Sequence, residues 1–65
     1  MIESFIGSTV QIIYIDRKCN ISFRTIQIRS VSNGKVKAYC YTAHAPRIFN
    51  IEQIIDAELV NRHAG

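Results

Sequence analysis

The chain has little of what usually announces a mechanism. Its two cysteines, Cys19 and Cys40, lack C-x-x-C spacing and have no histidine pair nearby, which argues against a structural zinc site or a dithiol redox motif. His44 and His63 stand far apart with no acid close to either, and no serine sits in a nucleophile elbow. No catalytic constellation, metal or cofactor is therefore expected. No apolar run approaches the ~20 residues of a membrane span. The opening Met-Ile-Glu-Ser-Phe has neither a cationic n-region nor the long apolar stretch of a secretory signal. The expectation is a cytoplasmic chain with no membrane partner and two reduced cysteines, Cys40 serving as a small core residue; a disulfide or thiol switch is the alternative. Repeats and low-complexity segments are absent too. The last absence is of one charge: no Asp or Glu lies between Arg17 and Arg47, a span holding Arg17, Lys18, Arg24, Arg29, Lys35, Lys37 and Arg47. One half of the molecule should be electropositive, whether to meet an anionic partner or merely to keep strands apart.

What is present is a β-rich pattern. Sixty-five residues make one domain, and 48% of them are apolar. A domain this small buries only about 60% of its unfolded surface, and its core contributes ~3–5 kcal/mol. Ile26 and Ile28, then Val36, Ala38 and Cys40, recur at period two on either side of Asn33-Gly34. That dipeptide favours the positive φ angles of a type I′ turn, so a hairpin is expected there. Its other face carries Gln27, Arg29, Lys35, Lys37, Tyr39 and Tyr41.

Around this hairpin, Ile2, Phe5 and Ile6 are spaced for a short helical segment ended by Gly7. A first strand is expected over Thr9–Ile15 and a polar turn over Asp16–Asn20. The second strand starts at Ile21 with Ile21 and Phe23 apolar, then changes phase to Ile26 and Ile28, which predicts a bulge near Arg24-Thr25. The third strand runs from Lys35 to about Thr42. Pro46 marks a loop over Ala43–Pro46, followed by a short strand Arg47–Asn50. One helical turn at Ile51–Ile54 and a strand to about Val60 are expected next, and Asn61–Gly65 should fray. The alternative is a helix from Asn50, since Ile51, Ile54, Ile55 and Leu59 would share one face. The fold class is mainly β: a small five-stranded barrel with Ile12, Ile26, Ile28, Val36, Ala38, Phe49 and Ile54 inside. The surplus apolar Ile13, Ile15, Ile48 and Val60 point to a homodimer or similar oligomer.

Tyr14, Arg24-x-Ile26, Asn33-Gly34, Ala38-Tyr39-Cys40 and Arg47-x-Phe49-x-Ile51-Glu52-x-Ile54 together resemble the WYL domain. That family is an SH3-like or Sm-like small β-barrel, usually appended to bacterial helix-turn-helix transcription regulators. The resemblance spans about Val10 to Leu59. It departs from the family in three places. Lys35-Val-Lys-Ala stands in the region of the eponymous Trp-Tyr-Leu, Ile28 replaces a proline, and Gln53 replaces an arginine. What the resemblance implies is ligand sensing, of nucleotides or single-stranded nucleic acid, through arginines and aromatics on one barrel face. Arg24 and Arg47 match the family's cations, with Tyr14 and Tyr39 nearby.

The hairpin's outer face supplies Arg29, Lys35, Lys37, Tyr39 and Tyr41 as candidate ligand-binding residues, and the resemblance implies Arg24 and Arg47 as the rest of the set. Guanidinium groups engage phosphate bidentately, and tyrosine faces stack bases without reading them. Competing readings are that Arg47 pairs with Glu52 or Asp56, and that Phe49 and Tyr14 belong to the core. The alternative function is a protein-interaction module that uses an open sheet edge.

Overall fold

The structure, a computed structural model, describes residues 2–60. The expected frayed tail Asn61–Gly65, and His63 with it, lies outside them. A 3₁₀ turn (Ile2–Phe5) leads into β1 (Thr9–Ile15), β2 (Ile21–Ser32), β3 (Lys35–Cys40) and β4 (Ala45–Asn50). A second 3₁₀ turn (Ile51–Gln53) then delivers β5 (Ile54–Leu59). All pairings are antiparallel, and the five strands form one sheet in the order β4-β3-β2-β1-β5. The helical alternative for the C-terminal segment is thereby overturned: Ile54–Leu59 pairs along β1 instead.

The central hairpin forms as its sequence predicts. Ser32 faces Lys35 across the turn, with Asn33 at φ 49° and Gly34 at φ 73°, the signs a type I′ turn requires. Ile26, Ile28, Val36, Ala38 and Cys40 are all buried on the inner face. Val10, Ile12, Phe49 and Ile2 complete the buried core, with Ile54 packed partly buried against it. The N-terminal turn is tied down by Gly7, whose N–H donates to the Ile28 carbonyl at 2.8 Å, while the Ile28 N–H donates to Ser8 at 3.1 Å. Cys40 is buried on β3 and Cys19 is exposed in the β1–β2 turn, and the two are not bonded to each other.

Three local expectations are corrected. No bulge occurs at Arg24-Thr25, because β1 and β2 stay in unbroken register from Thr9↔Gln27 to Ile15↔Ile21. Strand β2 keeps its phase, and Ile21 and Phe23 face outward, 58% and 61% exposed. The irregularity falls later, where the β2–β3 register shifts between Ile28 and Ser30 and leaves Arg29 as the extra residue. This shift lets Val31 return to the core side opposite Val36. Strand β3 ends at Cys40, so Tyr41–His44 form a turn, with His44 at φ 56°. Pro46 belongs to β4 rather than to a loop, opposite Tyr39. An edge strand tolerates the missing donor because one side of its backbone has no strand to bond.

Strands β4 and β5 stand at opposite edges of the hydrogen-bonded order. Where β4 passes into β5, side chains hold the chain together. The Tyr14 hydroxyl accepts from the Asn50 N–H at 3.3 Å and donates to Gln53 Oε1 at 3.2 Å. Asn50 Nδ2 also donates to Gln53 Oε1, and Gln53 Nε2 donates to the Ile15 carbonyl at 2.9 Å. The Tyr14 ring meets Phe49 edge to face at 5.1 Å. Gln53, read from the family pattern as a substitution for arginine, is thus a joint between β1 and the second 3₁₀ turn.

Candidate functional site

Strand alternation and the turn place Lys35, Lys37 and Tyr39 on the outer face of β3, away from the core. The bulge at Arg29 re-aims that side chain toward Lys37, a common effect of an inserted residue. Together Arg29, Lys37, Tyr39, Pro46, Arg47 and Ile48 line an open groove of about 730 Å³ along β3 and β4. The Tyr39 ring packs edge to face against Tyr41, centroids 5.2 Å apart and planes at 72°, which fixes it beside the groove. β2, β3 and β4 contain no acidic residue. Carboxylates occur instead on β5 (Asp56, Glu58), in the two 3₁₀ turns (Glu3, Glu52) and at Asp16.

Four of the seven predicted site residues therefore meet in one groove: Arg29, Lys37, Tyr39 and Arg47. Tyr41 supports Tyr39 from the following turn. Lys35 lies at the hairpin end, where its Nζ donates to Asn50 Oδ1 at 2.9 Å. Arg47, opposite buried Ala38 and two residues from buried Phe49, leaves β4 on the core-facing side and lines the groove from the sheet edge. Arg24 does not line the groove. Opposite Ile12 in the register, it projects from the core-facing side of β2. Its Nε donates to Ser22 Oγ at 3.2 Å, and its guanidinium carbon sits 5.9 Å from the Phe49 ring centroid. It does not reach the outer face of the hairpin. Tyr14 also packs inward, as its apolar neighbours imply. Pro46 and Ile48 were missed as groove residues because Pro46 read as a breaker; the alternation of Pro46 and Ile48 with buried Phe49 was the signal for an edge strand.

The polar turn that joins β1 and β2 is held by Asp16. Its Oδ1 accepts from the Lys18 and Asn20 N–H groups at 2.8 and 2.9 Å. The bond from the Asn20 backbone is the main reason its pKa is lowered from the ordinary value, with Lys18, the Asn20 side chain and Arg24 adding to it. Among the described residues, no group of three or more His, Cys, Asp or Glu gathers that could hold a metal ion, and no helix is long and apolar enough to cross a membrane. A smaller, mostly aliphatic depression of about 410 Å³ lies between the N-terminal turn and β5, lined by Ile2, Phe5, Ile51 and Ile54 among others.

Compared with models of protein families, with curated proteins and with solved structures, the chain finds no match. Its function has to be read from its own residues.

Proposed function

We propose that the chain is a small, non-catalytic binding module that takes single-stranded nucleic acid, or a nucleotide, along the outer face of β2 and β3 and the β4 edge. The observation that carries this reading is the groove lined by Arg29, Lys37 and Tyr39 on the outer face and by Arg47 at the β4 edge, on an acid-free half of the sheet. Arginine forks and a lysine ammonium neutralise phosphates, and a phenol ring offers a base a stacking surface that does not depend on its identity. An open groove along an edge strand suits a ligand that continues past it.

The reading extends to the fold family. The strand order, the 3₁₀ turn before β5 and the Tyr14–Asn50–Gln53 joint support a reading as an SH3-like or Sm-like barrel, although the hydrogen-bonded sheet itself is open. With the resemblance to WYL domains, this reading gives the chain a regulatory, ligand-sensing role in the cytoplasm. A second reading, strand addition by a partner protein at the β4 edge, is favoured by one observation: β4 has no neighbour beyond it and exposes Ile48.

Fluorescence polarisation with labelled single-stranded DNA and RNA, and with nucleotides as competitors, tests the proposal. Binding should weaken log-linearly with salt, at a slope of about −0.7 for each phosphate neutralised. Failure to bind any of these at about 50 mM salt, where phosphate contacts are strongest, overturns it.

A further inference from the structure

We infer that the outer face of the β1–β2 hairpin is a self-association surface, packing on the same face of a second copy about a two-fold axis. Phe23 and Ile21 are the most exposed large apolar residues of this hairpin, at 61% and 58%. They lie directly opposite Ile13 and Ile15 in the register, so all four share the outer face as a two-by-two block. The block amounts to about 300 Å² of contiguous apolar surface, a size at which patches on monomers mark contact sites. Both surfaces use β2, but the block takes Ile21 and Phe23 near its start and the groove takes Arg29 near its end.

Charge selects the occupant. Beyond the block on the tip side stand Arg17 and Lys18; on the other side, β5 pairs Asp56 with Ile13 and Glu58 with Gln11. The block is centred at Tyr14 and Ser22, which face each other. Arg17 is three residues beyond Tyr14 and Gln11 three residues before it. At about 3.4 Å per residue, cation and carboxylate lie about 10 Å on either side of that centre. A two-fold axis through the centre and across the strands sets the Arg17–Lys18 tip of each copy over Gln11 and Thr25 of the other, with Glu58 on the next strand about 5 Å to the side. It also lays Ile13 over Ile15 and Phe23 over Ile21. A surface carrying both signs at equal distances from an apolar centre is complementary to itself. Its area falls below the ~800 Å² per partner of a standard interface, so the association is weak.

Sedimentation equilibrium of the full chain up to about 1 mM should show a monomer–dimer equilibrium, weakened on the order of a hundredfold by Phe23→Asp, with the circular dichroism spectrum unchanged. Reversing the tip (Arg17→Glu with Lys18→Glu) or the β5 face (Asp56→Lys with Glu58→Lys) should each weaken it about fivefold, and the four changes together should restore it to within about twofold. A monomer throughout, a dimer indifferent to Phe23→Asp, or one dissolved by Ile48→Lys instead, overturns the inference.

Discussion

Replacing Tyr14 by phenylalanine keeps the ring against Phe49 and deletes one oxygen. That oxygen accepts from the Asn50 N–H and donates to Gln53 Oε1, both in a part-buried setting. Gln53 Oε1 retains its bond from Asn50 Nδ2, but the Asn50 N–H loses its partner at the point where β4 turns. A net hydrogen bond contributes about 1 kcal/mol, and a donor left without a partner costs about 1–3 kcal/mol; the combined loss should be about 1.5–2.5 kcal/mol. For a domain whose core supplies ~3–5 kcal/mol that is a large fraction, equivalent to a fall in Tm of roughly 6–20 °C. Urea unfolding of Tyr14→Phe, Gln53→Ala and the double variant measures it, and the cycle should show coupling of at least about 0.5 kcal/mol. A loss below about 0.3 kcal/mol, with additive singles, would refute the idea that this joint ties the β4–β5 connection to β1.

Other outcomes follow from the same geometry. At micromolar concentration Phe23→Thr should change stability by less than about 0.5 kcal/mol although it removes a whole ring, whereas Ile26→Val, removing one carbon from the buried face, should cost about 0.5–1.5 kcal/mol in urea unfolding. Gly34→Ala should cost about 1 kcal/mol in the same assay through its positive φ alone, since a Cβ there meets nothing within 4 Å. Asp16 has a lowered folded pKa, so its contribution to stability is present above its unfolded pKa and fades as pH falls through the folded value. Asp16→Asn should therefore destabilise at neutral pH and match the parent in strong acid, which thermal melts across the acid range would show.

Much of this fold is legible in the sequence wherever a local rule and the core agree. Asn33-Gly34 sets a turn that positive φ restricts to few residues, and Ile26, Ile28, Val36, Ala38 and Cys40 follow as its inner face. The misreading at Ile21 and Phe23 has a physical cause. An apolar residue is not by itself an inward one, and only the unbroken pairing with β1 fixes which face it takes. The true irregularity at Arg29 left a trace, since Val31 is out of phase with Ile28, but its location depends on β3. Arg24 followed the same error: once β2 keeps its phase, Arg24 must share the side of Ile26. Pro46 could enter a strand only because β4 is at the edge, a fact of topology that no local pattern carries. The grouping of Arg29, Lys37, Tyr39 and Arg47 was partly legible, for the acid-free span and the hairpin alternation were both visible.

The most direct test of the binding reading is the salt dependence of single-strand affinity in the parent chain, Lys37→Ala and Tyr39→Ala. With Arg29, Lys37 and Arg47 each neutralising one phosphate, the parent slope should be about −2.1, a loss of roughly 18-fold between about 50 and 200 mM salt. Lys37→Ala should reduce the slope to about −1.4 and weaken all sequences alike. Tyr39→Ala should leave the slope unchanged and cost about 1–3 kcal/mol of affinity. Binding that neither substitution alters, or no binding at low salt, would contradict the assignment of this face as the ligand site.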